Sequence, residues 1–121
     1  MATILLSDPN EQSRLVLAAL VEALGHHVVY DLESGKIDAA VIEPASGDAM
    51  RLVRQARARR SALPVICVSS RRRSPTGMRL EPVAWLEKPA LVGPFVRAIS
   101  TAVGGTRPES RRGESARLAA A

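Results

Sequence analysis

Cysteine is almost missing from this sequence of 121 residues, in which Cys67 is the only one. A single cysteine excludes an internal disulfide and any zinc site that needs several thiolates. The neighbouring residues Ile66 and Val68 are apolar, which indicates a buried thiol with no chemical role.

Aromatic residues and long apolar runs are also scarce. Only 2% of the residues are aromatic, so few platforms exist on which the bases of a single-stranded nucleic acid could stack. No apolar run approaches the ~20 residues that cross a bilayer, and the opening MATILLSDPN lacks the basic start of a signal peptide. We therefore expect a cytoplasmic protein with no membrane partner.

No residue pattern predicts a metal, a cofactor or an enzyme. His26 and His27 are adjacent, so on a strand they point to opposite faces and do not share a metal ion. The stretch SPTG lacks the lysine that completes a phosphate-binding loop. Both histidines lie at the start of a predicted strand, away from the ends where a serine nucleophile would need one.

The rest of the composition is that of one ordinary domain. Hydrophobic residues make up 46% and charged residues 24%, and 17 basic residues against 12 acidic ones give a net charge of +5. We place the domain at residues 1–104. Residues 105–121 have no hydrophobic periodicity and few large apolar side chains, which predicts a flexible tail or linker.

Strand and helix signals alternate along the domain. The predicted strands are ATILL, HHVVY, DAAVI, LPVICVS and VAWL. After the first strand, Asp8 is placed to cap a helix, with Pro9 at its first position and Gly25 as its stop. In a later helix, Arg51, Arg54 and Arg57 lie off the apolar stripe and predict a solvated face. Nearly continuous apolar strands joined by helices indicate a parallel sheet covered on both faces.

Polar side chains follow four of these strands directly. Because the carboxyl ends of parallel strands meet at one edge of a sheet, we expect these side chains to form one small pocket. They are Ser7, Asp8, Glu43, Ser69, Ser70 and Lys88.

This arrangement resembles the receiver domain of bacterial response regulators, over about residues 2–104. The resemblance rests on ILLSD, DAAVIEP, PVICVSS and WLEKP, in that order and at the ends of strands. It implies a flavodoxin-like three-layer sandwich with a five-stranded parallel sheet in the order 2-1-3-4-5. It also implies a function in two-component signal transduction.

The resemblance assigns a role to each residue of the pocket. Ser7 and Asp8 match the acidic pair that holds magnesium, and Glu43 matches the phosphoacceptor. Ser69 matches the hydroxyl that contacts the phosphoryl group, and Lys88 matches the phosphate-binding lysine.

Two further positions follow from the same resemblance. Trp85 matches the aromatic residue that switches between two positions, and Pro89 matches a proline that often follows a cis bond. Packing in the core is the alternative explanation of Trp85.

Two departures from the family's pattern predict a pocket that no longer accepts phosphate. Ser7 is neutral where magnesium prefers a carboxylate, so we expect no bound metal. Glu43 is one methylene longer than aspartate, which places its oxygens about 1.5 Å further out and spoils the geometry of attack. We expect Glu43 to hold Lys88 permanently in a charge-assisted contact. The alternatives are an ion pair without a signalling role, and Asp8 as a helix cap only.

Two linkers predict fewer helices than the family's usual five, one because it is short and one because its sequence is poor in helical signal. Only Leu32–Ile37 join strands two and three, so we expect helix 2 of the family to be absent. The stretch SSRRRSPTGMRLEP contains proline and glycine and no apolar stripe, so helix 4 should be short or absent. Helices 1, 3 and 5 remain. We expect one sheet face to be left partly exposed and to bind a second copy or a partner protein, with the last strand and helix as the alternative dimer surface.

These observations favour a degenerate pseudo-receiver that acts as a phosphorylation-independent interaction or dimerisation module. Its protein partner would be a signalling kinase or an output regulator. One alternative is nucleic-acid binding through Arg71, Arg72, Arg73 and the basic tail. Another is a receiver phosphorylated by altered chemistry at Ser7, Ser69 or Asp8.

Overall fold

Five short apolar segments form one parallel sheet in the computed structural model, which describes residues 1–104. The strand order is 2-1-3-4-5, as the sequence predicts. The predicted tail, residues 105–121, lies outside the described residues. The strands are β1 (Thr3–Ser7), β2 (His27–Val29), β3 (Ala39–Ile42), β4 (Val65–Ser69) and β5 (Ala84–Glu87).

Four α-helices and one 3-10 turn connect the strands within residues 1–104. The 3-10 turn is Leu32–Ser34. The helices are α1 (Glu11–Ala23), α2 (Gly47–Arg59), α3 (Pro75–Met78) and α4 (Val92–Gly104). The second crossover thus has no α-helix and the fourth has a single turn, so the expectation of two missing or shortened helices is confirmed. None of these helices is long and apolar enough to span a bilayer.

Helix α1 begins later than the sequence predicts. Asn10 is its N-cap and accepts a hydrogen bond from the Ser13 amide, so the expectation of Asp8 as the cap is wrong. The reason is that Asp8 turns into the protein and accepts a hydrogen bond from the Asn10 amide instead. Pro9 therefore precedes the helix. At the other end Gly25 has a φ of +88°, which suits the helix stop predicted there.

The two faces of the sheet are covered differently. Helices α1 and α4 pack on one face, around Phe95 and Ile99. Helix α2 is the main cover of the other face, as expected from the missing helices.

The expectation of an exposed apolar sheet on the second face is wrong. Its sheet residues, such as Leu5, Val65 and Cys67, are fully buried. The reason is that the segments between the strands supply apolar side chains of their own, both where a helix is absent or short and between α2 and β4. Those loop side chains are Leu32, Ile37, Leu63 and Leu80, all buried.

Arginines at the end of α2 hold these loops in place. Arg57 donates hydrogen bonds to the carbonyls of Leu63 and Leu80, so the prediction that its side chain is solvated is wrong. The same kind of bond joins two more arginines to the loop between β2 and β3. Arg59 donates to the Leu32 carbonyl at 2.9 Å, and Arg60 donates to those of Ile37 and Asp38 at 3.1 Å each. Guanidinium groups thus satisfy backbone carbonyls of the segments that connect the strands.

Candidate functional site

Three polar residues are buried in the described part of the chain, and all of them lie at the carboxyl edge of the sheet. They are Asp8, Glu43 and Ser69, which follow or end β1, β3 and β4. These strands are neighbours in the sheet, so their ends meet. Lys88 follows β5 at the same edge, and the sheet thereby assembles a pocket from residues far apart in sequence.

Lys88 lies between the two carboxylates. Its Nζ is 2.9 Å from Asp8 Oδ2 and 3.3 Å from Glu43 Oε1. The Lys88 side chain is 18% exposed, whereas the side chains of Asp8 and Glu43 are 1% and 9% exposed. One ammonium group therefore serves two carboxylates that water scarcely reaches.

In each carboxylate, the oxygen that does not contact Lys88 accepts a hydrogen bond from a backbone amide. Asp8 Oδ1 accepts a hydrogen bond from the Asn10 amide at 2.9 Å, and Glu43 Oε2 accepts one from the Ala45 amide at 3.1 Å. Asp8 Oδ2 is buried, and its one polar contact among the described residues is with the Lys88 ammonium. Both carboxylates are consequently fixed in orientation by the turn that follows their own strand.

The pKa of Lys88 is raised above its usual 10.5. Burial by itself lowers the pKa of an ammonium group. Here the hydrogen bond and charge of Asp8, followed by those of Glu43, outweigh burial and favour the charged form. Lys88 therefore stays positive at neutral pH, and two negative charges share one positive charge in the pocket.

Ser69 borders this group but is not joined to Glu43 by a hydrogen bond. The Ser69 hydroxyl oxygen accepts from the Arg71 amide at 3.1 Å, and its backbone carbonyl accepts from the Lys88 amide at 2.8 Å. The extra reach of Glu43 thus brings its charge to Lys88 and not to the hydroxyl.

Ser7 lies on the outer side of Asp8. It is half-buried and lines a cavity of about 320 Å³ together with Asp8, Tyr30 and Arg14. Sequence reasoning missed Arg14, whose guanidinium donates to the Asp8 carbonyl at 2.8 Å. Its position six residues after Asp8, on the first turn of a helix, was the available signal.

The donor set does not favour a metal ion. Within residues 1–104, no three histidine, cysteine or acidic side chains lie close enough together to hold one. The two carboxylates of the pocket are bridged by Lys88, and the hydroxyl of Ser7 is a weak ligand for magnesium.

Trp85 lies near Ser69, and its side chain packs against α3. Its indole Nε1 donates to the Arg71 carbonyl at 3.2 Å, and its ring covers Gly77 so closely that a Cβ there would be 2.6 Å away. The half-buried ring packs against the core under α2. The Lys88–Pro89 peptide bond is cis, as the resemblance implies.

Cys67 lies in the core beside this pocket and is fully buried. Burial, with a further contribution from the charge of Glu43 and a smaller opposing one from Arg57, raises the pKa of its thiol from 9.0 to about 12. The thiol is therefore neutral and unreactive at physiological pH.

Comparison with solved structures places the fold among receiver domains of response regulators. A receiver protein from Pseudoalteromonas atlantica has 21% identity and a TM-score of 0.71, with 87% of this chain and 99% of that chain covered. The signal receiver domain of a modulated diguanylate cyclase from Desulfovibrio desulfuricans G20 has 20% identity and a TM-score of 0.68, with coverages of 87% and 95%. A receiver domain protein from Clostridium thermocellum has 17% identity and a TM-score of 0.71, with coverages of 88% and 97%.

These identities are low, so the likeness establishes the fold and not the chemistry. The sequence itself matches no family profile and no curated protein.

Proposed function

We propose that this receiver-fold chain is a regulatory module of the two-component type that binds a protein partner and does not accept a phosphoryl group. The observation that carries the proposal is the position of Lys88 between Asp8 and Glu43. A closed arrangement of three charges leaves no carboxylate ready to react. The module is then not an enzyme, because it does not catalyse its own phosphorylation.

The geometry of Glu43 argues against its acting as a nucleophile. One of its oxygens accepts from the Ala45 amide and the other contacts Lys88. An attacking carboxylate needs an oxygen directed at the phosphorus atom, and small errors of position greatly reduce the rate. Both oxygens of Glu43 are already committed to contacts within the protein.

The electrostatics of the pocket argue against magnesium as well. A metal ion at Asp8 would have to displace the Lys88 ammonium and would gain only the neutral hydroxyl of Ser7 beside it. Without a metal, Lys88 is the one basic side chain of residues 1–104 that contacts these carboxylates, and it is already paired with both of them. The pocket already contains one more negative charge than positive.

Exposed apolar side chains support a function in protein binding. Val83, Leu91 and Val92, before and after β5, are 46%, 67% and 59% exposed. Val83 and Leu91 lie next to the last strand and helix, and Val92 is the first residue of that helix, so the three border the alternative dimer surface predicted from the sequence. A signalling kinase, an output regulator or a second copy of the chain would bury them.

The phosphorylation state can be tested by mass spectrometry. The full chain is incubated with a small phosphodonor and magnesium, and its intact mass is recorded over time. We expect no increase in mass for the natural chain. The matched variant S7D/E43D restores both short acids of a working pocket, and we expect it to gain one phosphoryl group. A gain by the natural chain at Glu43, or at Ser7, Ser69 or Asp8, would contradict the proposal.

A further inference from the structure

A groove of about 610 Å³ lies between α2 and α3, on the opposite side of the molecule from α1 and α4. Val53 and Leu80 lie in its floor and are buried, and Met50 is half-buried beside them. The groove is open because α3 is a single turn, which leaves one flank of α2 uncovered. Its apolar floor is a ready contact for the apolar face of another chain.

The rim of the groove is basic. Arg54 on α2 and Arg79 after α3 are exposed and line opposite sides, and no acidic residue lines the groove. Within residues 1–104, neither guanidinium has an ion pair or a hydrogen bond. The other arginines of α2 and its C-cap do have partners. They are Arg51, Arg57, Arg59 and Arg60. The two free cations of this region thus face each other across one apolar floor.

We infer that this groove docks an acidic, amphipathic helix of a protein partner. Apolar side chains of that helix contact Met50, Val53 and Leu80, while carboxylates at its edges pair with Arg54 and Arg79. The inference rests on the proposed function, since it names the surface and the chemistry through which the module binds its partner.

The charge and the floor of the groove disfavour other occupants. A second copy carries a net charge of +5 and is a poor electrostatic match for a basic rim. A nucleic acid would meet the two arginines, but its phosphates would cover an apolar floor that has no aromatic ring on which bases could stack. An acidic amphipathic helix has apolar side chains for the floor of the groove and carboxylates for the arginines of its rim.

The inference is tested by selecting peptides that bind the protein from a random library. The full chain is immobilised and used to select from a displayed library of random peptides of ~16 residues, long enough for about four helical turns. We expect enrichment of peptides with aspartate or glutamate and with apolar residues at helical spacing. A selected peptide is then synthesised, and its affinity is measured by fluorescence anisotropy.

Variants locate the binding site. In the variant R54E/R79E we expect affinity to fall roughly tenfold or more, because two attractions become repulsions. The matched control K36E/R97E has the same change of net charge at exposed positions outside the groove, and we expect a change of less than about twofold. The milder variant R54Q/R79Q provides the measurement if the charge-reversed variant is unfolded by circular dichroism.

Each other outcome overturns the inference. Selection of no peptide, selection of peptides without acidic residues, or equal weakening by both pairs of charge reversals would exclude this use of the groove. So would a DNA oligonucleotide that bound through Arg54 and Arg79 in place of any peptide. The intact mass of the same preparation after incubation with the phosphodonor and magnesium tests the proposed function separately. A failed peptide selection together with an unchanged mass therefore overturns the groove alone.

Discussion

Lys88 is the residue on which the pocket depends, because it neutralises Asp8 and Glu43 where water scarcely reaches them. Removing one partner of a buried ion pair is costly because the remaining charge stays in a poorly solvated place. Here removal would leave two like charges facing each other. The ion pairs therefore affect stability mainly because their loss would leave two buried carboxylates without a positive charge.

Replacing Lys88 by alanine should lower the free energy of unfolding by about 2–4 kcal/mol, somewhat less than for a fully buried pair because the lysine borders solvent. The matched control is Lys36→Ala, whose ammonium lies 4.0 Å from Asp38 and whose side chain is 83% exposed. We expect that control to change stability by less than about 1 kcal/mol. Urea denaturation measures both, and equal effects of the two substitutions would contradict this account of the pocket.

Alkaline pH should destabilise the protein through two residues. Unfolded Cys67 ionises near its usual 9.0, but the folded thiol has a pKa of about 12, so its contribution is lost between these values. The raised pKa of Lys88 acts in the same direction, and its contribution is lost only above the usual 10.5. We expect the free energy of unfolding, measured in urea, to fall from pH 9 upward.

The variant Cys67→Ala separates the two residues. It should remove the fall that begins near pH 9 and leave the one that begins above 10.5. An unchanged profile in this variant would show that the buried thiol is not the cause.

Part of this pocket could be predicted from the sequence, for a topological reason. Glu43 and Lys88 each follow a strand of one parallel sheet, so their proximity follows from the order of the strands. The orientation of Asp8 could not be predicted, because Pro9, which suits the first position of a helix, makes Asp8 an equally good candidate for the helix cap. The inward orientation of the Asp8 carboxylate is explained by its ion pair with Lys88, which is distant in sequence.

Among the elements, loops that are hydrogen-bonded to arginines of α2 and its C-cap cover the sheet face where one helix is absent and another is short. The short linker between β2 and β3 predicts that one helix is absent, and the proline and glycine after β4 predict that another is short or absent; the structure confirms both. What covers the sheet in their place could not be predicted. The bonds from Arg57 to Leu63 and Leu80 depend on the path of the chain before and after β4, and the spacing of arginines on α2 does not encode that path.

Replacing Arg57 by alanine should therefore destabilise the fold. The substitution leaves the carbonyls of Leu63 and Leu80 without their donor, at a cost of about 1–3 kcal/mol. The matched control is Arg54→Ala, one turn earlier on α2 and without a partner among the described residues, which should cost less than about 0.5 kcal/mol. Thermal unfolding measures both. A loss of stability from Arg54→Ala as large as that from Arg57→Ala would contradict the bracing role.

Viewed as a whole molecule, the protein combines the receiver fold with surfaces that differ on its two sides. The side of α1 and α4 carries exposed apolar residues such as Leu91 and Val92. The opposite side carries the groove between α2 and α3, with its basic rim. The pocket lies at the edge between them, where Lys88 precedes α4 and Glu43 precedes α2. If the ion pairs keep the pocket in one conformation, the surface of α1 and α4 and the surface of α2 and α3 would each keep one conformation as well.

The most direct test of this fixed pocket is a nuclear magnetic resonance titration with magnesium and beryllofluoride, a mimic of the phosphoryl group. The amide signals of Asn10 and Ala45 report on the two carboxylates, since these amides donate to Asp8 and Glu43. We predict that both signals stay in place at millimolar concentrations of both reagents, because Lys88 already occupies the carboxylates. A saturable shift of both signals would show that the pocket opens to a metal and a phosphoryl group, and would contradict the central claim.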